Sequence, residues 1–380
     1  MKQGADKISI ERNNGAYDMD VINPKMFYRA NFLKAARFAF PEAIPCRVIV
    51  TRPLVNSYRE EFVEIVKRYP LAFPDYSVEA LKFDDWRGVV YEDRFVKDVF
   101  GTVWRYRIKG LGPEPYVYPL ADLDRVREWS LPDPEAGYPI GYADPKPMML
   151  WEELFELFDR VREQGGLVAF SLHHFLFQKL MDLIPLGKLL YAIHRGDERF
   201  VIALEKVAEY QFGLLKVAKR YGGIDVVVVL EDLGDQRSPL IRPEHLRKYF
   251  LPYYKKLSTE VNELGSLLYF HSDGNVMPLA DVLLDSGAHI FNIQDVVNGV
   301  DNIAKKLRGR VCIDIDVDRQ HVIPFGSREN IFKHIENIVK ILNSEKGGLA
   351  LHIEVYPPTP LKNIAYLAEA CYRYAFNLTP

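Results

Sequence analysis

Histidine and carboxylate side chains occur together where apolar runs of this sequence end. Within residues 267–275, His271 and Asp273 are two residues apart, and Gly274 lets the backbone turn directly after them. Residues at this spacing on a strand project from the same face, so both side chains can enter one pocket. Imidazole and carboxylate groups are ligands for a divalent metal, and Glu354, which ends a later apolar run, is a candidate third ligand. The alternative is that His271 and Asp273 bond only each other or the neighbouring loop.

Further candidates follow two other apolar runs. Glu231 and Asp232 come directly after residues 225–230. Because burying a carboxylate without a partner is costly, we assign both as candidate catalytic residues. His174 is a third catalytic candidate. It is adjacent to His173, and since neighbouring strand residues point in different directions, one of these histidines could instead be a core residue or a helix cap.

Three aspartates, Asp314, Asp316 and Asp318, alternate along the chain, so a continuing strand would place them on one face. Clustered negative charges require a cation, a bound arginine or solvent, and Arg319 is the next residue in the sequence. The alternative is that the strand ends by Asp316 and that Asp318 caps the following loop.

The elements that position these residues are short β-branched runs separated by long amphipathic segments. This pattern is typical of β-α units around a parallel sheet. An eighth strand is predicted near residues 71–84, and in such a barrel the active site lies at the carboxyl ends of the strands. The other seven predicted strands are residues 47–51, 167–172, 225–230, 267–270, 289–293, 311–315 and 349–353.

The intervening segments have helical features. Pro243 suits a first helical turn, and Ser327 suits an N-cap. Extended segments after residue 85 interrupt the β-α pattern and predict an antiparallel hairpin excursion at about 85–140. The sequence therefore predicts an α/β protein, a (β/α)8 TIM barrel over residues 46–380 with an N-terminal extension at 1–45.

Composition excludes several classes of protein. The 380 residues include 49 basic and 52 acidic side chains, for a net charge of -3, which gives no broad attraction for nucleic acid. No segment has the roughly 18 apolar residues that a membrane span needs, and no signal sequence is visible, so we predict a cytoplasmic protein. Cys46, Cys312 and Cys371 are far apart, which excludes a disulfide framework and a cysteine-rich zinc site. The sequence also has no GxGxxG, Walker, GxSxG or HExxH motif.

Several ordered segments carry a family resemblance. They are GTVW at 101–104, YPLADLDRVREWSLPDP ending at Pro134, LEDLGDQRSPLIRPEHLRKYFLPYYKKL at 230–257, FHSDGN, DSGAHIFNIQD, DRQHVIPFGS at 318–327 and YPPTPLKN at 356–363. In this order they resemble the uroporphyrinogen decarboxylase-like superfamily from about Asp98 onward. The resemblance implies a (β/α)8 barrel and one of two activities, decarboxylation of uroporphyrinogen or methyl transfer involving a corrinoid.

Departures from the family pattern distinguish these activities. The decarboxylases carry an arginine-rich N-terminal segment, of which TRPLVNSYREEF at 51–62 keeps only an Arg-Pro pair. The methylcobalamin:thiol methyltransferases use a His-x-Cys zinc site with a distant cysteine. Here Asp273 stands where the first cysteine is expected, and Glu354 stands near the second. The resemblance therefore implies a zinc site with nitrogen and oxygen ligands, His271, Asp273 and Glu354, suited to polarising the leaving group of a methyl donor.

The predicted function is transfer of a methyl group from a small O- or N-methylated donor, such as a methoxylated aromatic, to a corrinoid carried by a separate protein. Alternatives are a methylcobalamin-to-acceptor methyltransferase, a decarboxylase, and a non-catalytic barrel that binds a tetrapyrrole or corrinoid. The resemblance also makes a homodimer possible. Asp232, Gln236 or Gln294 is predicted to orient the donor, and Glu231 or His174 to protonate the leaving group if no metal binds. The predicted substrate contacts are Arg52, His173, Gln236, Gln294 and Tyr356.

Overall fold

Seven parallel strands form the central sheet of the computed structural model, which describes residues 12–13, 16–17, 22–140 and 148–378. The strands are Cys46–Val50 (β1), Ala169–His174 (β2), Val226–Leu230 (β3), Leu267–Ser272 (β4), Ile290–Gln294 (β5), Cys312–Asp316 (β6) and Leu349–Val355 (β7). In spatial order they run β1, β7, β6, β5, β4, β3, β2, so the last strand returns to pair with the first, as in a barrel.

Helices connect the strands and cover the outside of the sheet. Ser327 caps the helix that follows it, as predicted, because its hydroxyl oxygen accepts from the backbone N–H of Asn330. The principal helices are Pro24–Ala36, Arg52–Arg68, Trp151–Glu163, Phe177–Leu183, Leu186–Arg195, Glu198–Lys219, Leu251–Glu263, Ala280–Leu284, Val300–Leu307, Arg328–Leu342 and Leu361–Ala370. Shorter helical segments are Pro243–His245, Leu246–Phe250, Asp295–Asn298, Val322–Phe325 and Cys371–Ala375. None of the described helices is both long and apolar enough to cross a lipid bilayer.

The prediction of an eighth strand near residues 71–84 is wrong. This segment has short 3-10 turns at Pro70–Ala72 and Val78–Ala80. Pro70 and Pro74 lack the backbone N–H that a strand ladder requires, which disfavours a central strand here. Among the described residues, no strand bridges β1 and β2, so the sheet has the α/β barrel fold with one strand position left open.

Because side chains alternate along each strand, the sheet has an apolar outer face and an inner face that changes from apolar to polar along the strands. Outward residues such as Val227 and Ile313 pack beneath the helices in the main core. Inward residues near the start of the strands form a second apolar cluster, and Tyr28 and Phe32 of the N-terminal helix Pro24–Ala36 belong to it. This helix therefore closes the amino end of the barrel. The strand residues in this cluster are Val226, Leu267, Tyr269, Ile290, Cys312 and Ala350.

The predicted hairpin excursion is a three-stranded antiparallel sheet of Tyr91–Lys97, Val103–Ile108 and Glu114–Val117. Within it, the indole N–H of the buried Trp104 donates to Asp98 Oδ2, in the turn between the first two of these strands, at 2.7 Å. The Trp104 ring faces the barrel, with its centroid 6.4 Å from that of the His174 ring on β2. The Thr102 hydroxyl donates to the backbone carbonyl oxygen of Asp182 at 3.0 Å, which ties the insertion to the helix after β2.

Glu231 has a structural position rather than a place in the cavity. It is fully buried, and its carboxylate accepts from the backbone N–H groups of Leu176, Phe177 and Gln178 and from the Tyr254 hydroxyl. Burial raises the pKa of Glu231 to about 7, although these hydrogen bonds favour its charged form. The side chain thus holds the start of the helix Phe177–Leu183 against β3.

We predict that Glu231→Gln lowers the free energy of unfolding by about 1–3 kcal/mol, because an amide N–H would then face backbone donors that need an acceptor. Urea unfolding followed by circular dichroism measures the change. The matched control is Glu244→Gln, since the Glu244 side chain is 64% exposed and should tolerate the amide. Equal stability of Glu231→Gln and the wild type would contradict the structural role.

Candidate metal-binding site

A cavity of about 400 Å³ opens within the barrel, and every strand of the sheet contributes to its wall. One lining residue from each strand, in chain order, is Arg47, Ala169, Val228, His271, Asn292, Asp316 and Glu354. Most of the polar lining residues lie toward the carboxyl ends of the strands. A larger depression of about 700 Å³ lies beside residues 74–81, but its lining contains no histidine or cysteine. We therefore place the candidate site in the barrel cavity.

Three side chains in the cavity form a group that could hold a metal ion: Asp232, His271 and Asp273. The His271 Nε2 atom lies 3.4 Å from Asp232 Oδ1 and 3.8 Å from Asp273 Oδ1. Ligand atoms at about 2.0–2.1 Å from a tetrahedral zinc ion are about 3.4 Å apart. The group therefore fits a small divalent ion with one nitrogen and two oxygen ligands.

The orientation of His271 is determined by Asn292. The Asn292 side-chain N–H donates to the backbone carbonyl oxygen of Asp314 at 2.7 Å, so its Oδ1 is the atom that faces His271 Nδ1, at 2.5 Å. His271 must donate from Nδ1, which directs Nε2 toward Asp232 and Asp273. Histidine ligands in metal sites are commonly held by such a hydrogen bond to the other ring nitrogen. The sequence analysis missed Asn292, although its position among the inward-facing residues of β5 could have identified it.

Gln178 fixes Asp232 in a comparable way. The backbone N–H of Asp232 donates to Gln178 Oε1 at 3.1 Å, and Gln178 Nε2 donates to Asp232 Oδ2 at 2.6 Å. Asp232 Oδ1 is the oxygen nearer His271. Gln178 was also missed, because nothing in its local sequence links it to a residue 54 positions away.

Glycine contacts join the loops that carry the two aspartates. Gly274 has a φ of +80°, and a Cβ atom there would lie 2.2 Å from the carbonyl carbon of Gly234. A side chain at Gly274 would therefore separate the loop after β3 from the loop after β4. Gln294 supports the same turn, because its Oε1 atom accepts from the backbone N–H of Gly274 at 3.0 Å.

Arg319 neutralises the acidic side of the cavity. Its Nη2 atom donates to both carboxylate oxygens of Asp273, at 2.8 and 2.7 Å, and its Nη1 atom donates to Glu354 Oε2 at 2.6 Å. Asp316 Oδ2 lies 3.2 Å from the same Nη1 atom. Glu354 is therefore paired with Arg319 and does not belong to the group that could hold a metal ion. The third member of that group is Asp232, whereas the sequence analysis predicted Glu354.

Burial and neighbouring charges shift the pKa values of these groups in opposite directions. Burial would lower the pKa of His271, but the hydrogen bond and charge of Asp232, together with the charge of Asp273, raise it to about 10. Burial raises the pKa of Asp316 to about 8. Burial would also raise the pKa of Glu354, but His352 and Arg319 lower it to about 2. A metal ion must displace the proton of His271, so metal affinity should increase with pH.

His352 and Glu354 both face the cavity, because they are two residues apart on β7. Arg47 Nη2 lies 3.2 Å from His352 Nδ1, so this ring nitrogen is the acceptor and Nε2 carries the proton. The His352 Nε2 atom lies 3.3 Å from Glu354 Oε1. Tyr356 also lines the cavity, and its hydroxyl donates to Glu354 Oε2 at 2.9 Å.

A bulge in β2 separates the two adjacent histidines. His173 has a φ of +47° and contacts the Tyr138 hydroxyl outside the cavity, with 2.8 Å between the Tyr138 oxygen and His173 Nε2. His174 lines the cavity, and its Nδ1 atom lies 2.8 Å from Asp182 Oδ2. The structure therefore brings His174 to the site and leaves His173 half-buried beside Tyr138.

Besides His173, three of the predicted substrate contacts, Arg52, Gln236 and Gln294, are not among the residues that line the cavity, and one aspartate also lies elsewhere. Arg52 makes a two-point hydrogen bond with Asp84, at 2.9 Å for each bond. Gln236 is exposed on the loop after β3. Asp318 caps the loop after β6, where its carboxylate accepts from three backbone N–H groups, so the strand ends by Asp316, as the alternative proposed.

Comparisons with known proteins agree with this fold. Residues 187–374 match the family model described as uroporphyrinogen decarboxylase. A solved structure titled as a methyltransferase from Methanosarcina mazei shares 15% identity and a TM-score of 0.58, with 90% of this chain and 97% of that chain covered. A D-psicose 3-epimerase structure, at 9% identity, covers 59% of this chain and 84% of that chain, with a TM-score of 0.39.

A comparison with curated protein sequences gives no match. The low identity of the solved structures limits what they show to the fold. The family match covers the segment that contains five of the seven barrel strands and all three residues of the candidate metal group. Together with the barrel fold, it supports the resemblance of the chain to the uroporphyrinogen decarboxylase-like superfamily.

Proposed function

We propose that the protein is a methyltransferase that moves a methyl group from a small O- or N-methylated donor to a corrinoid carried by a separate protein. The observation that carries the proposal is the group of Asp232, His271 and Asp273, with His271 Nε2 turned toward both carboxylates by Asn292. The methyltransferase title of the Methanosarcina mazei structure supports the same class of reaction.

Asp232, His271 and Asp273 would hold the metal, and zinc accepts such a nitrogen and oxygen ligand set. Three protein ligands leave a coordination position for another group, which is the arrangement of catalytic zinc sites. When bound, zinc supplies Lewis acidity that polarises the oxygen or nitrogen atom from which the methyl group departs.

The barrel would leave the corrinoid partner a single route to the bound methyl donor. The N-terminal helix closes the amino end of the barrel, so the corrinoid partner must approach from the carboxyl ends of the strands. The methyl carbon leaves without the bonding electron pair, which stays on the departing oxygen or nitrogen, and a reduced corrinoid supplies the pair for the new cobalt–carbon bond. Holding donor and acceptor in line would contribute much of the rate.

His174 would donate the proton that the leaving group requires. It lines the cavity, and Asp182 positions its imidazole at Nδ1. Lys179 Nζ lies 3.0 Å from the same Asp182 oxygen, so the carboxylate is held between two donors. Glu231, the other predicted acid, is not among the residues that line the cavity.

The cavity gives little support for uroporphyrinogen decarboxylation. Five carboxyl groups and two guanidinium groups, those of Arg47 and Arg319, line the cavity. Arg319 is already paired with Asp273 and Glu354. A substrate with many carboxylates would be repelled by this wall. A barrel that binds a corrinoid without turnover remains the contrasting outcome of the experiments below.

We predict about one zinc ion per wild-type chain and almost none in His271→Ala, because the nitrogen ligand would be lost. Elemental analysis of purified protein measures the content. His321→Ala is the matched control, since the His321 side chain is 75% exposed and belongs to a neighbouring loop. Metal-free wild-type protein with a normal circular dichroism spectrum, after exposure to zinc, would contradict the ligand assignment.

We predict that chelation abolishes methyl transfer and that added zinc restores it. Transfer from 2-methoxyphenol to reduced corrinoid is followed by the absorbance change of the cobalt centre. His271→Ala should be inactive with or without zinc, whereas His321→Ala should match the wild type. Binding of corrinoid with no transfer from any methylated donor would favour the non-catalytic barrel.

We predict that Asn292→Ala weakens zinc binding about 10- to 100-fold, because His271 would lose the acceptor that fixes its ring. Competition with a chromophoric chelator measures the dissociation constant on folded protein. Asn302→Ala is the control, because Asn302 is exposed and its side chain donates to the backbone carbonyl oxygen of Asn298, in the preceding short helix. Unchanged zinc affinity in Asn292→Ala would remove Asn292 from the site.

A further inference from the structure

Arg319 places a positive charge directly on one of the three candidate metal ligands. Its Nη2 atom donates to both carboxylate oxygens of Asp273, at 2.8 and 2.7 Å. One of these oxygens, Oδ1, is also the atom that lies 3.8 Å from His271 Nε2. A metal ion held by Asp232, His271 and Asp273 would therefore share the Asp273 carboxylate with a guanidinium group.

The other two members of the group are held by neutral side chains. His271 Nδ1 faces the amide oxygen of Asn292, and the amide N–H of Gln178 donates to Asp232 Oδ2. Amide groups orient a ligand without adding a net charge. Asp273 is thus the member of the group whose orienting partner is a cation.

The loop that carries Arg319 is fixed by contacts that do not involve the guanidinium group. The Asp318 carboxylate accepts from three backbone N–H groups of this loop, and the Asp318 backbone N–H donates to Asp295 Oδ2 at 3.2 Å. Asp295 is 1% exposed, and the same oxygen lies 2.6 Å from His334 Nε2. The loop should therefore keep its conformation when the Arg319 side chain is replaced.

A fixed cation beside a metal ligand has two effects on a bound metal ion. It repels the ion, and this repulsion is considerable where solvent screens charges poorly. It also draws negative charge away from the carboxylate, so the bound ion keeps more of its own positive charge. An ion that is less neutralised by its ligands is a stronger Lewis acid, and groups that contact the ligands tune a metal centre in this way.

We propose that Arg319, acting through Asp273, lowers the affinity of the site for zinc and raises the Lewis acidity of the bound ion. The inference rests on the proposed function, because it assigns the candidate site to a zinc ion that polarises the leaving group. It goes further by giving the loop after β6 a role in the chemistry as well as in the balance of charge.

The test measures the zinc dissociation constant of folded variants by competition with a chromophoric chelator. Arg319→Met removes the charge and both hydrogen bonds to Asp273, and Arg319→Gln removes the charge but keeps an N–H donor. We expect both variants to bind zinc at least roughly tenfold more tightly than the wild type, because the repulsion is lost. A role for Arg319 in merely holding Asp273 in place predicts the opposite sign, since a less ordered ligand would weaken zinc binding.

Two further variants serve as controls. Arg319→Lys keeps the positive charge, so its zinc affinity should stay within about threefold of the wild-type value. Arg242→Met removes an arginine whose side chain is 66% exposed and does not line the cavity, and it should match the wild type. Circular dichroism establishes that each variant is folded.

Methyl transfer measures the second effect. With saturating zinc, Arg319→Met and Arg319→Gln should transfer methyl groups from 2-methoxyphenol to reduced corrinoid at least roughly tenfold more slowly than the wild type, although they bind zinc more tightly. Arg319→Lys should keep most of the rate, because the charge that acts on Asp273 is retained.

The outcomes separate this inference from the proposed function. Weaker or unchanged zinc binding in both neutral variants, or no zinc binding by any form of the protein, would overturn the inference. Tighter binding with an unchanged rate of methyl transfer would also overturn it, because Arg319 would then not affect the Lewis acidity. Methyl transfer by the wild type would leave the methyltransferase activity standing in each of these cases. Tighter zinc binding in the neutral variants, with no methyl transfer by the wild type, would support the effect of Arg319 on zinc affinity and contradict the proposed function.

Discussion

The cost of gathering negative charges inside a barrel governs the architecture of this protein. Asp273, Asp316 and Glu354 lie around one guanidinium group, Arg319, which contacts all three. Without that positive charge the carboxylates would repel one another in a place that solvent screens poorly. Arg319 lies in the loop that follows β6, so the chain segment that contributes Asp316 also contributes the counter-charge. The arrangement leaves Asp232 and His271 on the other side of Asp273, where a cation could complete the neutralisation.

The fold makes this cluster possible by separating polar from apolar surfaces. Outward strand residues pack beneath the helices, while the N-terminal helix fills the amino end of the interior with apolar contacts. Most polar side chains of the interior therefore lie toward the carboxyl ends of the strands, with Arg47 near the start of β1 as an exception. Glu231 shows the same constraint from outside the cavity, because its buried carboxylate is tolerated only where three backbone N–H groups and a tyrosine hydroxyl meet it.

The candidate metal ligands of this protein differ from those of the cysteine-containing zinc sites in the family that it resembles. Asp273 stands in the cysteine position of the family pattern, and the third member of the group is Asp232, from the loop after β3. Oxygen ligands make a harder site than thiolates do, which suits polarisation of an ether oxygen better than activation of a thiol. Glu354, beside Arg319, instead takes part in the balance of charge.

The sequence by itself determined the seven strands, the antiparallel insertion and the alternation that places His271 with Asp273 and Asp314 with Asp316, since these depend on local periodicity. It also identified the strand ends that bear polar groups. Only the tertiary structure decided that His174 enters the cavity in place of His173, because the β2 bulge changes which side chain points inward. Likewise, Asp232 joins His271, and Gln178, Asn292 and Arg319 hold the cluster, through contacts between residues that are distant in the chain. Local sequence patterns carry periodicity, but partners in space depend on strand order and loop packing, which arise only when the whole barrel forms.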